Sequence, residues 1–261
     1  MKILVLNSSF RKQGNTAKAI DLLKESLETQ ANGSSIPVEI QIVNLAYLEL
    51  QICRGCRTCF DRGEAFCPLK DDLLPLHQRI LAADAVVLAS PVYVSDVNAV
   101  MKNWIDRMAF LCHRPQYASK AVFLLTTTGS APSSHALRTM DVAFHTWGGH
   151  TIGKLTLIAG ARMMVEEMRA QYQVKLNKAA GKVLRAMQRK EQNSPSFLAL
   201  MFFRIQQGFW RRHRDDSFDY RYWSSQGRLE KKRSYYTPHK SSPLITVLAR
   251  LAGYVIGLFV T

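Results

Sequence analysis

The sequence predicts a doubly wound α/β fold: a parallel sheet covered by helices on both faces, followed by a helical extension. Short apolar runs at residues 3–6, 38–43, 85–89, 121–126 and 151–158 have the length of buried strands, and the stretches between them have helical spacing with polar faces. The chain's 261 residues, 47% of them apolar, suffice for one core of ordinary domain size with chain left over.

In chain order, Ile3-Leu4-Val5-Leu6 forms the first strand, and Gly14 permits a tight turn into a helix over about 16–28. The second strand, 38–43, is separated from the third, 85–89, by a helix over 72–82. Helices over 98–112 and 134–147 then flank the strand 121–126, and 151–158 is the fifth strand. A long basic helix over 163–192 closes the fold as its last covering layer. Asn193-Ser194-Pro195 marks a boundary, dividing the chain into a domain at 1–192 and an extension at 193–261. That extension comprises an apolar stretch at 197–210, a basic and aromatic segment at 211–240 and a second apolar stretch at 244–260.

The net charge of +15 is unevenly spread. Residues 1–160 hold 16 Lys/Arg against 13 Asp/Glu, and residues 161–261 hold 19 against 7, so +3 belongs to the first part and +12 to the second. An anionic partner for the second part is expected, with membrane phospholipid competing against nucleic acid; no recognisable nucleic-acid motif is present, and no nucleic-acid partner is expected. The apolar run at residues 1–6 is too short for a secretory segment, which predicts a cytoplasmic chain. In that reducing compartment, clustered cysteines bind metal or do redox work more often than they form structural disulfides.

In sheets of this class ligands bind outside the carboxyl ends of the strands, which directs attention to the turn after Leu6. Ser8, Ser9 and Thr16 offer hydroxyls there, Arg11 and Lys12 offer positive charge, and the amides at the helix start favour a phosphate. The spacing matches neither the Walker loop nor the dinucleotide fingerprint, so a monophosphate fits better than ATP or NAD; an ordinary polar connection is the competing reading. A second constellation is Cys53, Cys56, Cys59 and Cys67, four thiols within fifteen positions that can converge on one compact metal cluster. Zinc sites usually draw two ligand pairs a dozen or more residues apart, and zinc, a disulfide and cluster-free thiols remain the alternatives. Arg54, Arg57 and Arg62 would place positive charge beside such a cluster, or simply form a solvated loop surface. Cys112 stands apart as a small buried hydrophobe, and His135, His145 and His150 lack ligand spacing and read as surface or satisfied histidines.

Four motifs in order, Ser9 and Arg11 with Gly14-Asn15-Thr16, then Ser90-Pro91-Val92-Tyr93, then residues 101–107 (Met-Lys-Asn-Trp-Ile-Asp-Arg), then Thr127-Thr128-Gly129, resemble the NAD(P)H-dependent FMN reductases of flavodoxin-like fold. Within that group the cysteine run resembles the iron-sulfur flavoproteins. The resemblance covers about residues 1–160 and implies a five-stranded parallel sheet in the order 2-1-3-4-5. It places the FMN phosphate on Ser9, Arg11, Asn15 and Thr16, the isoalloxazine ring against Pro91, Val92 and Tyr93, and Thr128 and Gly129 in the same cofactor site. It implies a 4Fe-4S cluster on Cys53, Cys56, Cys59 and Cys67, with NAD(P)H as electron donor. The family usually has Gly where this chain has Ser8 and Pro where it has Phe10.

Tyr93 can pack on a flavin face or simply cap a strand end, and hydride transfer requires no catalytic side-chain acid or base. Asp106 and Arg107 read as a helix-surface or subunit-contact pair. The stretch at 244–260 carries one charge, Arg250, and the spacing Gly253-x-x-x-Gly257. It reads as an interfacial helix, with Lys231, Lys232, Arg233 and Lys240 meeting anionic lipid, or as a helix packed on a second subunit. The expectation is an FMN oxidoreductase, a homo-oligomer exchanging electrons with a small-molecule or protein partner, with peripheral membrane contact through the extension. A cluster-free reductase of flavins, quinones or nitro compounds and a non-enzymatic electron carrier or redox sensor are the rivals.

Overall fold

The structure is a computed structural model, and it describes residues 1–35, 37–130, 132–160, 163–188, 194–215 and 217–259. Strand β1 (Lys2–Asn7) lies between β2 (Glu39–Asn44) and β3 (Ala85–Tyr93), and β5 (Ala121–Thr128) and β6 (His150–Ile158) continue the sheet beyond β3. All these pairings are parallel, in the order β2-β1-β3-β5-β6. A two-residue strand, β4 (Asp96–Val97), turns back antiparallel on the end of β3. Counting parallel strands alone, the order is the expected 2-1-3-4-5.

Alternation along each strand divides the core in two. Ile3, Val5, Val87 and Phe123 face helices α1 (Asn15–Gly33) and α6 (Val165–Gln188), where Leu23, Leu27, Leu176 and Val183 bury themselves. Leu4, Leu6, Leu88 and Leu124 face the other way, onto α3 (Leu73–Ala82), α4 (Ala99–Arg107) and α5 (Ser134–Thr146). Each apolar run is therefore covered on both sides, which is why it reads as continuous rather than alternating.

Two elements differ from expectation. The helix predicted over 98–112 stops at Arg107, and a 3-10 turn at Ala109–Cys112 follows. Met108, Phe110 and Leu111 are all fully buried, and a regular helix cannot turn every one of three such closely spaced side chains inward. Strand β3 runs four residues past 89, because Val92 and Tyr93 pair with Val97 and Asp96 of the returning β4.

The extension builds a third core from α7 (Phe197–Arg212), α8 (Phe218–Ser225) and α9 (Pro243–Gly257). Leu200, Phe203, Trp210, Trp223, Tyr235 and Ala249 pack together on Ala118 of the first domain. The spacing Gly253-x-x-x-Gly257 lets α9 lie on α7: a Cβ at Gly253 would stand 2.6 Å from the Met201 carbonyl oxygen. The predicted end of the long helix at 189–192, the boundary residue 193 and the last residue of the final apolar stretch, 260, lie outside the described residues.

Candidate cofactor groove and cysteine loop

The carboxyl ends of β1, β3 and β5 open on a groove of about 160 Å³. Its lining includes all nine residues predicted to bind the cofactor: Ser9, Arg11, Asn15, Thr16, Pro91, Val92, Tyr93, Thr128 and Gly129. This is the switch point of the sheet, since the chain passes from β1 outward to β2 and then returns to β3 on the other side of β1.

Three side chains outside those motifs shape the first loop. Asn44 Nδ2 donates to the Ser9 carbonyl at 2.9 Å, Asn98 Nδ2 to the Ser8 carbonyl at 2.6 Å, and the Tyr47 hydroxyl to the Phe10 carbonyl at 2.9 Å. These three bonds tie consecutive carbonyls of the loop to the scaffold. Helix α1 follows Gly14, its N-cap, with no side-chain cap hydrogen bond, so the amides of its first turn are available to an anion. Ser9 Oγ accepts from the Arg11 amide at 3.2 Å, which leaves the Ser9 proton to donate. Thr16 Oγ1 and Thr127 Oγ1 share a hydrogen bond of 2.7 Å.

Asn15 behaves differently from its neighbours. Its Nδ2 donates to the carbonyls of Ala159 and Gly160 at 3.1 and 2.9 Å, and its Oδ1 is buried with no partner among the described residues. An unpaired buried acceptor costs about 1–3 kcal/mol, and a hydroxyl or N–H donor would satisfy it where a phosphate oxygen would not. Asn15 therefore fits a hydroxyl-bearing chain beside the phosphate better than the phosphate itself. Tyr93 is exposed at the groove's edge, on a two-residue turn whose tip residues Val94 and Ser95 sit at φ 50° and 66°. Both values are left-handed, as this type of hairpin turn requires, and Val94 is a β-branched residue in that region with a fully exposed side chain. No Gly or Asn marks this turn, so its residue types do not announce it.

The four predicted thiols line one cavity of about 140 Å³ between the loop at 53–67 and helix α4. Cys59 is half-buried; burial, and then the neighbouring Cys67, push its thiol pKa up, with Cys53 adding to the effect and Arg114 opposing it. Cys56 is exposed and turned aside, its Sγ 3.4 Å from the Thr58 hydroxyl, which lowers its pKa. Three thiols thus neighbour one another, and the fourth lines the cavity from its rim. Among the described residues, no three Cys, His, Asp or Glu side chains stand at metal-ligand distances of one point. The donor set, four thiols on one cavity, suits a thiolate-held cluster, whose assembly would require their side chains to turn towards one point.

Arg107 belongs to this site, contrary to its expected surface role. Its guanidinium is buried and grips Asp71 with Nη1–Oδ2 at 2.6 Å and Nη2–Oδ1 at 3.0 Å, while Nη1 also donates to the Gln51 carbonyl at 2.7 Å. Burial alone would raise the Asp71 carboxyl; the Arg107 guanidinium and the amides of Gln51 and Leu73 outweigh it and hold the pKa below the ordinary value. Asp106, one residue earlier, faces solvent and pairs with Lys102 at 2.6 Å. A second buried arginine, Arg114, donates to Asp219 of the extension, to Glu64 at 3.0 Å and to the Cys59 carbonyl at 2.6 Å. Gly63, at φ 101°, lies under the Phe218 ring, where a Cβ would stand 2.7 Å from the ring carbon Cζ. Among the other predicted positions, Cys112 is half-buried against the core, and His135 and His145 pair with Asp96 and Asp141 at 3.2 Å each.

A family model described as NADPH-dependent FMN reductase matches residues 1–162. An iron-sulfur flavoprotein of Archaeoglobus fulgidus is 29% identical over 197 residues, covering 75% of this chain and 84% of that protein. An iron-sulfur flavoprotein of Methanocaldococcus jannaschii is 35% identical over 107 residues, covering 41% and 51%. Among solved structures, a flavone reductase superposes with a TM-score of 0.56 at 14% identity, covering 72% of this chain and 64% of that one, a likeness of fold.

Proposed function

Because the chain belongs to the NADPH-dependent FMN reductase family, we propose that it is an oxidoreductase that holds FMN in the groove and a 4Fe-4S cluster in the cysteine loop, taking electrons from NAD(P)H or a protein donor. The observation that carries this reading is the convergence of nine residues from three separated segments on one groove, with an orphaned acceptor at Asn15 inside it. Bound there, FMN would supply two-electron hydride exchange and one-electron exchange, and a cluster would supply one-electron carriage.

The chain's own part is binding, orientation and electrostatics. Ser9, Arg11 and the uncapped amides of α1 offer donors and positive charge to a phosphate, and Asn15 Oδ1 offers an acceptor to a hydroxyl next to it. Pro91 and Val92 form a stiff strand end, and Tyr93 supplies an aromatic face at the mouth of the groove. Around the thiols, the guanidinium of Arg107 pairs with Asp71 and that of Arg114 with Asp219 and Glu64, so both hold the cysteine loop in place, and the Arg114 charge opposes the burial that raises the Cys59 pKa. The relatives named iron-sulfur flavoprotein support the cluster.

Protein purified without oxygen tests the proposal through its visible spectrum before and after dithionite, with FMN and iron counted per chain. Flavin bands together with a broad, reducible absorbance and about four irons per chain are expected. Flavin without iron would reduce the reading to a cluster-free reductase, and neither chromophore would overturn it.

A further inference from the structure

Helices α7 and α9 together carry four arginines, Arg204, Arg211, Arg212 and Arg250, and no acidic residue. The same two helices leave a continuous apolar surface uncovered: Leu244, Leu248, Leu251 and Val255 recur at helical spacing along α9, and Leu198 and Phe202 are exposed on α7. No helix among the described residues is long and apolar enough to cross a membrane. Helix α9 is instead fixed to the protein on its other side, through Ala249, Gly253 and Gly257.

Between the two helices lies a shallow cleft of about 250 Å³ lined by Arg204, Val247, Arg250, Leu251 and Tyr254. Arg250 donates to the carbonyls of Arg233 and Lys231 at 2.9 and 2.7 Å, which fixes its guanidinium beside the cleft. Arg204 donates to Gln207 Oε1 at 2.8 Å and stands 5.8 Å from the Tyr254 ring. Among the described residues neither guanidinium makes an ion pair. Burial first, and then the charges of Arg250, Arg211 and Arg212, push the Arg204 pKa down, so the cleft lies among like positive charges.

We propose that this face docks on an anionic phospholipid bilayer, with the apolar stripe of α9 and α7 entering the headgroup boundary and a lipid phosphate held between Arg204 and Arg250. The chemistry fits on both counts. Apolar side chains beside basic ones are what an interfacial helix presents to anionic lipid, and paired guanidiniums suit a phosphodiester. A second copy of the chain fits less well. An isologous pairing sets the same patch against itself, and α7 and α9 carry no carboxylate to answer Arg204 and Arg250. Exposed apolar side chains on this scale call for a partner, and charge selects the lipid.

The test is flotation of the full-length protein with vesicles of phosphatidylglycerol and phosphatidylcholine, against vesicles of phosphatidylcholine alone. Binding to the mixed vesicles at 0.1 M salt, weakened roughly tenfold or more on phosphatidylcholine alone or in 0.5 M salt, is the expected result. Leu251→Glu should abolish binding, and Arg204→Gln should weaken it roughly fivefold. The salt and lipid comparisons use the unaltered chain, so they stand even where a variant folds poorly. Equal binding to both vesicles, or none to either, would overturn the proposal. So would a stable dimer in solution that Leu251→Glu dissociates, since the face would then belong to a second copy.

Discussion

The Arg107–Asp71 pair allows a sharp test, because its neighbour supplies an internal control. Arg107 and Asp106 are adjacent on α4, yet Arg107 and Asp71 have side chains 2% exposed while Asp106 and Lys102 are 47% and 52% exposed. Arg107→Met would strand the Asp71 carboxylate in the interior and leave the Gln51 carbonyl only its longer bond from Asn103 Nδ2 at 3.3 Å, a loss of about 3–5 kcal/mol. At about 2–4 °C per kcal/mol for a chain of this size, the melting temperature should fall by roughly 6–20 °C. Asp106→Asn removes a solvent-screened i,i+4 pair worth about 0.3–0.5 kcal/mol and should shift melting by no more than about 2 °C. The pH dependence carries a sign as well. In the unaltered chain Asp71 has a lowered pKa, so its contribution is present above the ordinary carboxylate value of 3.8 and is lost as pH falls through the lower folded one. Without Arg107, burial raises that pKa instead, and the penalty at pH 7 should shrink as pH falls and the stranded carboxyl takes a proton. The assay is thermal melting by circular dichroism at pH 5 and pH 7 for the unaltered chain and both variants. Equal shifts for Arg107→Met and Asp106→Asn, or a penalty that grows towards pH 5, would refute the reasoning.

Val94 has a fully exposed side chain at φ 50°, so Val94→Gly loses no packing and relieves a left-handed β-branched residue; melting should rise by about 2–4 °C, and a fall would show that the turn is unstrained. His77 is buried with Nδ1 2.8 Å from the Tyr117 hydroxyl, and burial lowers its pKa below 6.5. The unfolded chain therefore takes up its proton first, and stability should decline as pH falls below 6.5; His77→Gln, followed by melting between pH 7 and pH 5, should flatten that limb.

What could be read in advance, and what could not, follows from the range of the interactions. The strands were legible because burial on both faces demands unbroken apolar runs, and Ile3-Leu4-Val5-Leu6 needs no distant partner to be recognised. The nine groove residues were legible because short motifs on adjacent strand ends must converge once the strand order is known. Asn44, Tyr47 and Asn98 were not, since each is an ordinary polar residue whose role is to hold one backbone carbonyl of a loop 35 to 90 positions away. Arg107 was misread for the same reason. Its neighbours in sequence offered Asp106, while its partner Asp71 lies 36 positions upstream.

The extension is tied to the cysteine loop through Arg114 rather than merely appended to the domain. That guanidinium reaches Asp219 of α8, Glu64 of the loop and the carbonyl of Cys59, a thiol-bearing residue. The Phe218 ring covers Gly63 and lies 4.8 Å from the same guanidinium, so α8 forms a wall behind residues 59–67. One buried arginine cannot satisfy three acceptors unless all three are in place, because an unpaired buried charge is far more costly than an unpaired amide. The fold of the extension and the conformation of the cysteine loop are consequently coupled. Asp219 has its other oxygen on His113 Nδ1 at 2.7 Å, and Trp223 Nε1 donates to the His113 carbonyl at 2.8 Å, which locks α8 onto the residues following α4. Helix α4 itself carries Arg107 and Asn103, and Asn103 Oδ1 accepts from the Cys53 amide at 3.2 Å. The start and the middle of the cysteine run are therefore anchored on one short stretch of chain, 103–114: Cys53 through Asn103, and Cys59 through Arg114, whose position in turn depends on the extension.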